Sequence, residues 1–270
     1  MIDFHTHIFP EKIAPKTLDY LEELGGINRN TNGMKDGILA SMHEAGIDLS
    51  VLLPVVTKPS QFRSINRFAS EFTDVPLISF GGIHPDTEDY KGELIQLKEM
   101  GFKGIKFHPD YQTGVYIDDI RYKRIISYAT ELDMIIVTHA GYDPAYPNKT
   151  QGNPQNILNM YEDVKPEKMV LAHMGGYQRW DDVEKYLVGL PVWFDTGVVF
   201  EGNISDEQFV RIAKKHGTDK ILFGTDSPWA SQKEYVEHIR SLPFNEIEKE
   251  NIFHNNAEKL LQLKIPNSMK

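Results

Sequence analysis

His5 and His7 flank a single threonine near the start of the chain, and further polar residues follow at long intervals: Lys106 and His108, then His139, His173 and Asp226. In an extended strand, side chains at i and i+2 share a face, so His5 and His7 can aim two imidazole nitrogens at one point. Imidazole nitrogens bind a zinc-like ion at about 2.0 Å, and a third histidine and a carboxylate from elsewhere would complete a shell with one position left for water. Water held in that position loses a proton near neutral pH, which makes hydroxide available for chemistry. Taken singly, each residue has a plainer use. An HxH arises by chance, His139 or His173 can bond a carbonyl in a core, and Asp226 can cap the turn before Ser227-Pro228. Taken together they are harder to dismiss, because burying several imidazoles and a carboxylate without metal or water is costly.

The elements that would position them are legible as a rhythm. Short β-branched or aromatic runs at residues 1–7, 49–54, 77–83, 104–108, 134–139, 169–173, 192–195 and 221–224 read as eight strands. Segments with helical spacing lie between them, at 37–45, 61–72, 93–100, 121–132, 182–188 and 206–216. Strands alternating with helices predict parallel pairing, and eight such units predict a closed (β/α)8 TIM barrel, distorted, rather than an open sheet. No G-x-G-x-x-G follows the first strand, which weakens the open alternative. Residues 8–32 read as a long connection able to cover the barrel mouth, and 245–263 as an extra C-terminal helix against the barrel's side. Residues 1–270 read as one domain. In this fold chemistry gathers where the strands end. The histidine pair, Lys106 and His108, His139, His173 and Asp226 all fall at such ends.

Composition narrows the function classes. The chain has 270 residues, a formal net charge of -10, and 40% hydrophobic against 25% charged residues. This is ordinary for a folded globular chain, and the acidity argues against nucleic acid or an anionic membrane as partner. No apolar run approaches the roughly 18 residues of a membrane span. The start Met1-Ile2-Asp3-Phe4-His5 has no basic or apolar leader pattern, which predicts a cytoplasmic protein. Cysteine is absent, so disulfides, thiolate metal ligands and a thiol nucleophile are excluded.

These motifs, in this order, resemble the amidohydrolase superfamily, in its branch related to aminocarboxymuconate semialdehyde decarboxylase. The stretches that carry the resemblance are Asp3-Phe4-His5-Thr6-His7, Gly104-Ile105-Lys106-Phe107-His108-Pro109, Val137-Thr138-His139-Ala140-Gly141, Leu171-Ala172-His173-Met174-Gly175-Gly176 and Leu222-Phe223-Gly224-Thr225-Asp226-Ser227-Pro228. The ending Asn255-Asn256-Ala257-Glu258-Lys259-Leu260-Leu261 is similar as well. The resemblance implies one divalent ion, zinc first, held by His5, His7, His139 and Asp226. It implies a catalytic His173 beside the metal-bound water, with His173 or Asp226 taking its proton. Other branches hold a second metal on a carboxylated lysine near the place of Lys106, but the Gly-Ile-Lys-Phe-His-Pro context is similar to the single-metal branch. Deaminase-like members carry a glutamate where Tyr142 stands, and a phenol with a pKa near 10 is a poor replacement, so nucleobase deamination is disfavoured.

Substrate signals are thinner. Lys106 could contact a substrate anion, and Arg179 or Arg63 could grip a carboxylate. His108, Tyr142 and Trp229 could line the mouth, with Phe9 and Tyr111 beside them and Asp195 as a further polar contact or a cap. The leading reading is a hydrolase of a small amide, lactone or ester. The alternative is a non-oxidative decarboxylase or hydratase of an unsaturated or aromatic acid, and the metal shell does not separate the two. A catalytically silent barrel is the third reading. The resemblance also implies a homo-oligomer acting on a small molecule.

Overall fold

The computed structural model describes residues 1–112 and 114–263. All eight expected strands form: β1 Ile2–Thr6, β2 Leu49–Leu52, β3 in two pieces Leu77–Ser79 and Gly81–Gly82, β4 Gly104–Phe107, β5 Ile135–Thr138, β6 Met169–Leu171, β7 Trp193–Asp195 and β8 Ile221–Leu222. Pairing is parallel from β1 to β2 to β3, and from β3 through β8 in order. The ring closes between β8 and β1. The Phe4 amide donates to the Phe223 carbonyl (2.8 Å), Asp226 N–H to His5 O (2.7 Å) and His7 N–H to Ser227 O (2.6 Å). The result is a TIM barrel, irregular at this seam.

Helices follow the strands as expected, beginning with α1 Ala14–Gly25, α2 Lys35–Ala45, α3 Phe62–Ala69 and α4 Tyr90–Glu99. The stretch expected as an open connection over the mouth thus carries α1. Pro15 sits in its first turn, Ala14 and Leu18 are buried, and Gly26 ends it with a left-handed φ of 62°. Further on come α5 Ile120–Glu131, α6 Pro154–Val164, α7 Trp180–Tyr186, α8 Asp206–His216 and α9 Gln232–Ser241. Side-chain caps start several of them, Asn153 on the Asn156 amide for α6 and Ser205 on the Gln208 amide for α8. Among the described residues no helix is long and apolar enough to cross a membrane.

The barrel interior is layered. Ile2, Phe4, Leu49, Val51, Ile78, Phe80, Ile135, Val137, Val170 and Leu222 form one buried apolar cluster. The C-terminal helical run, ending in Asn256–Leu261, adds Ala257, Leu260 and Leu261 to that same cluster. It therefore closes the floor of the barrel, and does not lie along the side as the sequence suggested. Each large side chain so buried contributes roughly 1.5–3 kcal/mol. Gly104 is required by this packing: a Cβ there would lie 2.6 Å from the Phe80 ring and 2.5 Å from the Ile135 carbonyl. Above the apolar layers the inward positions turn polar, and the site begins.

Away from the mouth, His216 anchors α8 to β7. Its Nε2–H donates to Val192 O (2.9 Å), Gly189 N–H donates to its Nδ1 (3.2 Å), and the ring stacks on Phe194 at 3.8 Å. Both nitrogens are committed to the neutral form, and burial lowers its pKa to about 4. Between about pH 6.5 and pH 4 the unfolded chain binds a proton that the folded chain does not, so this contribution to stability falls as pH falls, by up to about 3 kcal/mol. In urea titrations the stability gap between wild type and His216→Gln should narrow by that order between pH 7 and pH 4. A gap independent of pH would refute the assignment.

Candidate metal centre

At the C-terminal end of β1 the expected pair comes together. His5 Nε2 lies 3.2 Å from His7 Nε2, and Asp226 Oδ1 lies 2.9 Å from His7 Nε2 and 3.3 Å from His5 Nε2. Lys106 Nζ reaches 3.2 Å from the same His5 nitrogen. Four polar atoms from β1, β4 and the loop after β8 thus share one small space. Neighbours make room: a Cβ on Gly224 would meet His5 Cβ at 3.0 Å, and one on Gly197 would meet Asp226 Cβ at 3.1 Å.

Ring tautomers are set from behind. His5 Nδ1–H donates to Asp195 Oδ2 (2.9 Å), which leaves Nε2 as the lone pair turned to the mouth. Asp195 Oδ1 also accepts the amides of His173 and Gly197, both at 3.0 Å. His173 Nδ1–H donates to Gly197 O (2.9 Å), so its Nε2 accepts from His139 Nδ1 (2.9 Å). That in turn leaves His139 Nε2 as a lone pair, buried and without any hydrogen-bond partner. His173 adopts a left-handed φ of 59° at the end of β6, which carries its ring toward His139.

The charges follow from burial and neighbours. Burial, then the Lys106 charge, lowers the His5 pKa to about 4, and His139 is held well below the ordinary histidine value, by burial first. Burial pushes the Asp226 carboxyl up, but His5 and His7 outweigh it and hold the group well below the usual range. Burial lowers Lys106 to about 8. Burial raises Asp3, directly behind the site, to about 7 against the pull of its bonds to Gln232 and Thr225. Neutral imidazoles beside an ionised carboxylate are the donor states a divalent cation needs, and the unpaired His139 Nε2 is a donor without another use. The residues present therefore fit a metal.

Other expected residues fall unevenly. His108 stacks on His139 (centroids 4.1 Å apart) and lies 3.2 Å from Asp143 Oδ2. His108, His139 and Asp143 form a second donor group adjoining the first. Trp229 is half-buried, its amide donating to Asp226 O (2.9 Å) and its carbonyl accepting from Asn30. Tyr142 is half-buried and packs on the outer apolar core, with its amide on Tyr177 O. Arg179 is exposed in an outer groove with Asp181 and Gln208, and Arg63 lines another between α3 and α4. Neither arginine bonds to the cluster: Arg179 is the N-cap residue of α7, and Arg63 lies in the first turn of α3. Asp195 proves to be the hub of the histidine orientation, which its place at a strand end signalled. Asp143 had no such signal, since it lies in the irregular loop after β5.

A closed parallel barrel with histidines and carboxylates gathered at the strand ends defines a class, the metal-dependent barrel hydrolases and lyases. Within it the chain belongs to the amidohydrolase family, whose model matches residues 2–263, and it is an enzyme of the metal-dependent hydrolase or decarboxylase kind. No curated protein matches the sequence. Among solved structures it is similar to 2,6-dihydroxybenzoate decarboxylase from Rhizobium, with TM-score 0.70, 18% identity, and 97% of this chain and 98% of the other covered. It is similar to 5-carboxyvanillate decarboxylase from Novosphingobium aromaticivorans complexed with manganese, with TM-score 0.72, 16% identity and coverage of 97% and 96%. A candidate 2-pyrone-4,6-dicarboxylic acid hydrolase from Pseudomonas putida gives TM-score 0.69, 16% identity and 98% coverage of both chains.

Protein purified without chelator or histidine tag should carry about one divalent ion per chain by plasma mass spectrometry, and His5→Ala or Asp226→Ala should each lose most of it. About two ions per chain would instead point to a second site, at a carboxylated Lys106 or at the His108, His139 and Asp143 group.

Proposed function

We propose that this protein is a cytoplasmic, metal-dependent, non-oxidative decarboxylase of a small unsaturated or aromatic acid. His5, His7, His139 and Asp226 would hold one divalent ion, zinc or manganese. When bound, such an ion supplies Lewis-acid polarisation and a water of lowered pKa. The observation that carries the reading is Lys106: only 1% exposed, set at the His5 nitrogen, and without an ion-pair partner among the described residues. Asp195 and Asp226 lie near enough to favour its charge but neither makes an ion pair with it, so the ammonium can receive the substrate's carboxylate. The likeness to decarboxylases of aromatic acids supports the same choice.

In this reading Lys106 binds the acid, and His108, Tyr142 and Trp229 line the mouth around it. The C–C bond to the carboxylate breaks, carbon dioxide leaves with both oxygens, and the electron pair stays on the substrate carbon. The carbon takes a proton in its place; His173 would supply it, while Asp226, which this site keeps ionised, serves as a ligand rather than a proton store. A second reading, hydrolysis of a carboxylate-bearing lactone, is supported by the likeness to the pyrone dicarboxylic acid hydrolase. A silent barrel is disfavoured by the complete donor set. We infer a homo-oligomer from the family resemblance alone.

Incubated with a panel of aromatic and unsaturated acids, the metal-loaded protein should release carbon dioxide from at least one. Lys106→Met should lower kcat/KM by about 10–100-fold, the loss of one charged hydrogen bond. Turnover of lactones without carbon dioxide would replace this reading by the second.

A further inference from the structure

Asp3, on β1, is fully buried, forms no ion pair among the described residues, and bonds across to the segment after β8. Its Oδ1 accepts two backbone amides, His5 N–H and Thr225 N–H, both at 3.1 Å. Its Oδ2 accepts Thr225 Oγ1–H (2.6 Å) and Gln232 Nε2–H (2.7 Å). One carboxylate therefore bonds the backbone of His5 itself and of the residue preceding Asp226.

The pairing of β1 explains why this matters. Between Asp3 and Thr6 the strand advances three residues while β2 advances two, from Ser50 to Leu52. The extra residue is a bulge. Bulges reverse the alternation of side chains and leave a backbone group without a ladder partner. Here Phe4 faces the apolar interior and His5, its neighbour, also turns inward to the mouth, while Asp3 turns outward to Gln232 on α9, whose amide also donates to Ser50 Oγ on β2. Without the bulge, strict alternation would put His5 on the face of Asp3, away from the site. The His5 amide that the bulge frees goes to Asp3 Oδ1. On the other side of the seam the same oxygen takes the Thr225 amide, while the next amide, of Asp226, returns to His5 O at 2.7 Å. The carboxylate is inserted into the β1–β8 ladder where the barrel closes.

We propose that Asp3 is a positioning residue for the metal centre: by accepting the His5 and Thr225 amides on one oxygen, it sets the relative placement of His5 and Asp226. This rests on the metal-centre reading above. Four accepted hydrogen bonds suit a carboxylate, which has two acceptor oxygens and no donor. An asparagine can still take both backbone amides on its single oxygen. Its NH2 would face Thr225 Oγ1, which can turn to accept, and Gln232, whose amide can flip to present the Oε1 that is unpaired in the native arrangement.

The test is the affinity of the folded chain for Mn2+ and for Zn2+, by competition with a coloured chelator, alongside the urea midpoint of the metal-free protein. Asp3→Ala should weaken both affinities at least about tenfold, the effect expected of a residue behind the ligands, and Asp3→Asn should restore them to within about threefold of wild type. A residue that only stabilises the fold would shift the urea midpoint and leave the affinity of the folded chain unchanged. Should Asp3→Ala not fold, Asp3→Ser, whose one short hydroxyl cannot take both amides as the carboxylate does, should weaken affinity at least several-fold. Folded Asp3→Ala, or Asp3→Ser in its place, binding both ions within twofold of wild type would overturn the assignment of Asp3 alone. Wild-type protein that takes up neither ion would overturn the metal centre and this role with it.

Discussion

Crowding of electron pairs at one buried point is the constraint on which the rest of the structure turns. His5 Nε2, His7 Nε2 and Asp226 Oδ1 lie within 3.3 Å of one another, with a lysine ammonium at the same nitrogen and an unpaired His139 nitrogen facing the mouth. Left uncompensated, such groups are costly to remove from water. The surrounding structure works to hold them there: Asp195 and His173 fix the rings from behind, and Gly197 and Gly224 leave out the Cβ atoms that would push them apart. Those are the features of a preorganised ligand set, in which outer partners decide which nitrogen is presented.

The barrel supplies the rigidity that this arrangement needs. Apolar layers below the site, floored by Ala257, Leu260 and Leu261, exclude water from beneath and fix the strand ends. Local dielectric falls accordingly, which strengthens the pull of the imidazoles on Asp226 and the effect of Lys106 on any anion that enters. Burial has opposite consequences for different groups here. It keeps His5 and His139 neutral and ready to donate electron pairs, and it leaves Lys106, near Asp195 and Asp226 but ion-paired to neither, open to a further counter-charge. An acidic substrate would supply it, so the electrostatics of the site and the proposed chemistry point the same way.

Much of this was legible in the sequence because it is periodic. Eight strands were recognisable from short apolar runs, and the site from the polar residue that ends each of several runs. The misreadings have a common cause, which is that no local pattern encodes direction. Arg179 and Arg63 lie close in sequence to mouth residues, yet each lines a separate surface groove. The segment after β1 looked irregular because α1 has only a few buried residues, and the C-terminal helix was recognisable while the surface it covers was not. Asp143 reaches His108 only through the path of a loop that carries no period.

The sequence by itself determined the strand–helix alternation and the set of donors available, since both follow from residue type and from spacings of two and about four residues. It also determined that His5 and His7 share a face, as neighbours two apart on one strand must. Only the tertiary structure decided which face that was. A bulge between Asp3 and Thr6 reverses the alternation, and it exists because a carboxylate can satisfy the amides freed where β1 meets β8. That meeting brings together residues more than two hundred positions apart, and hydrogen bonds made across such a distance depend on how the ring closes rather than on any pattern along the chain.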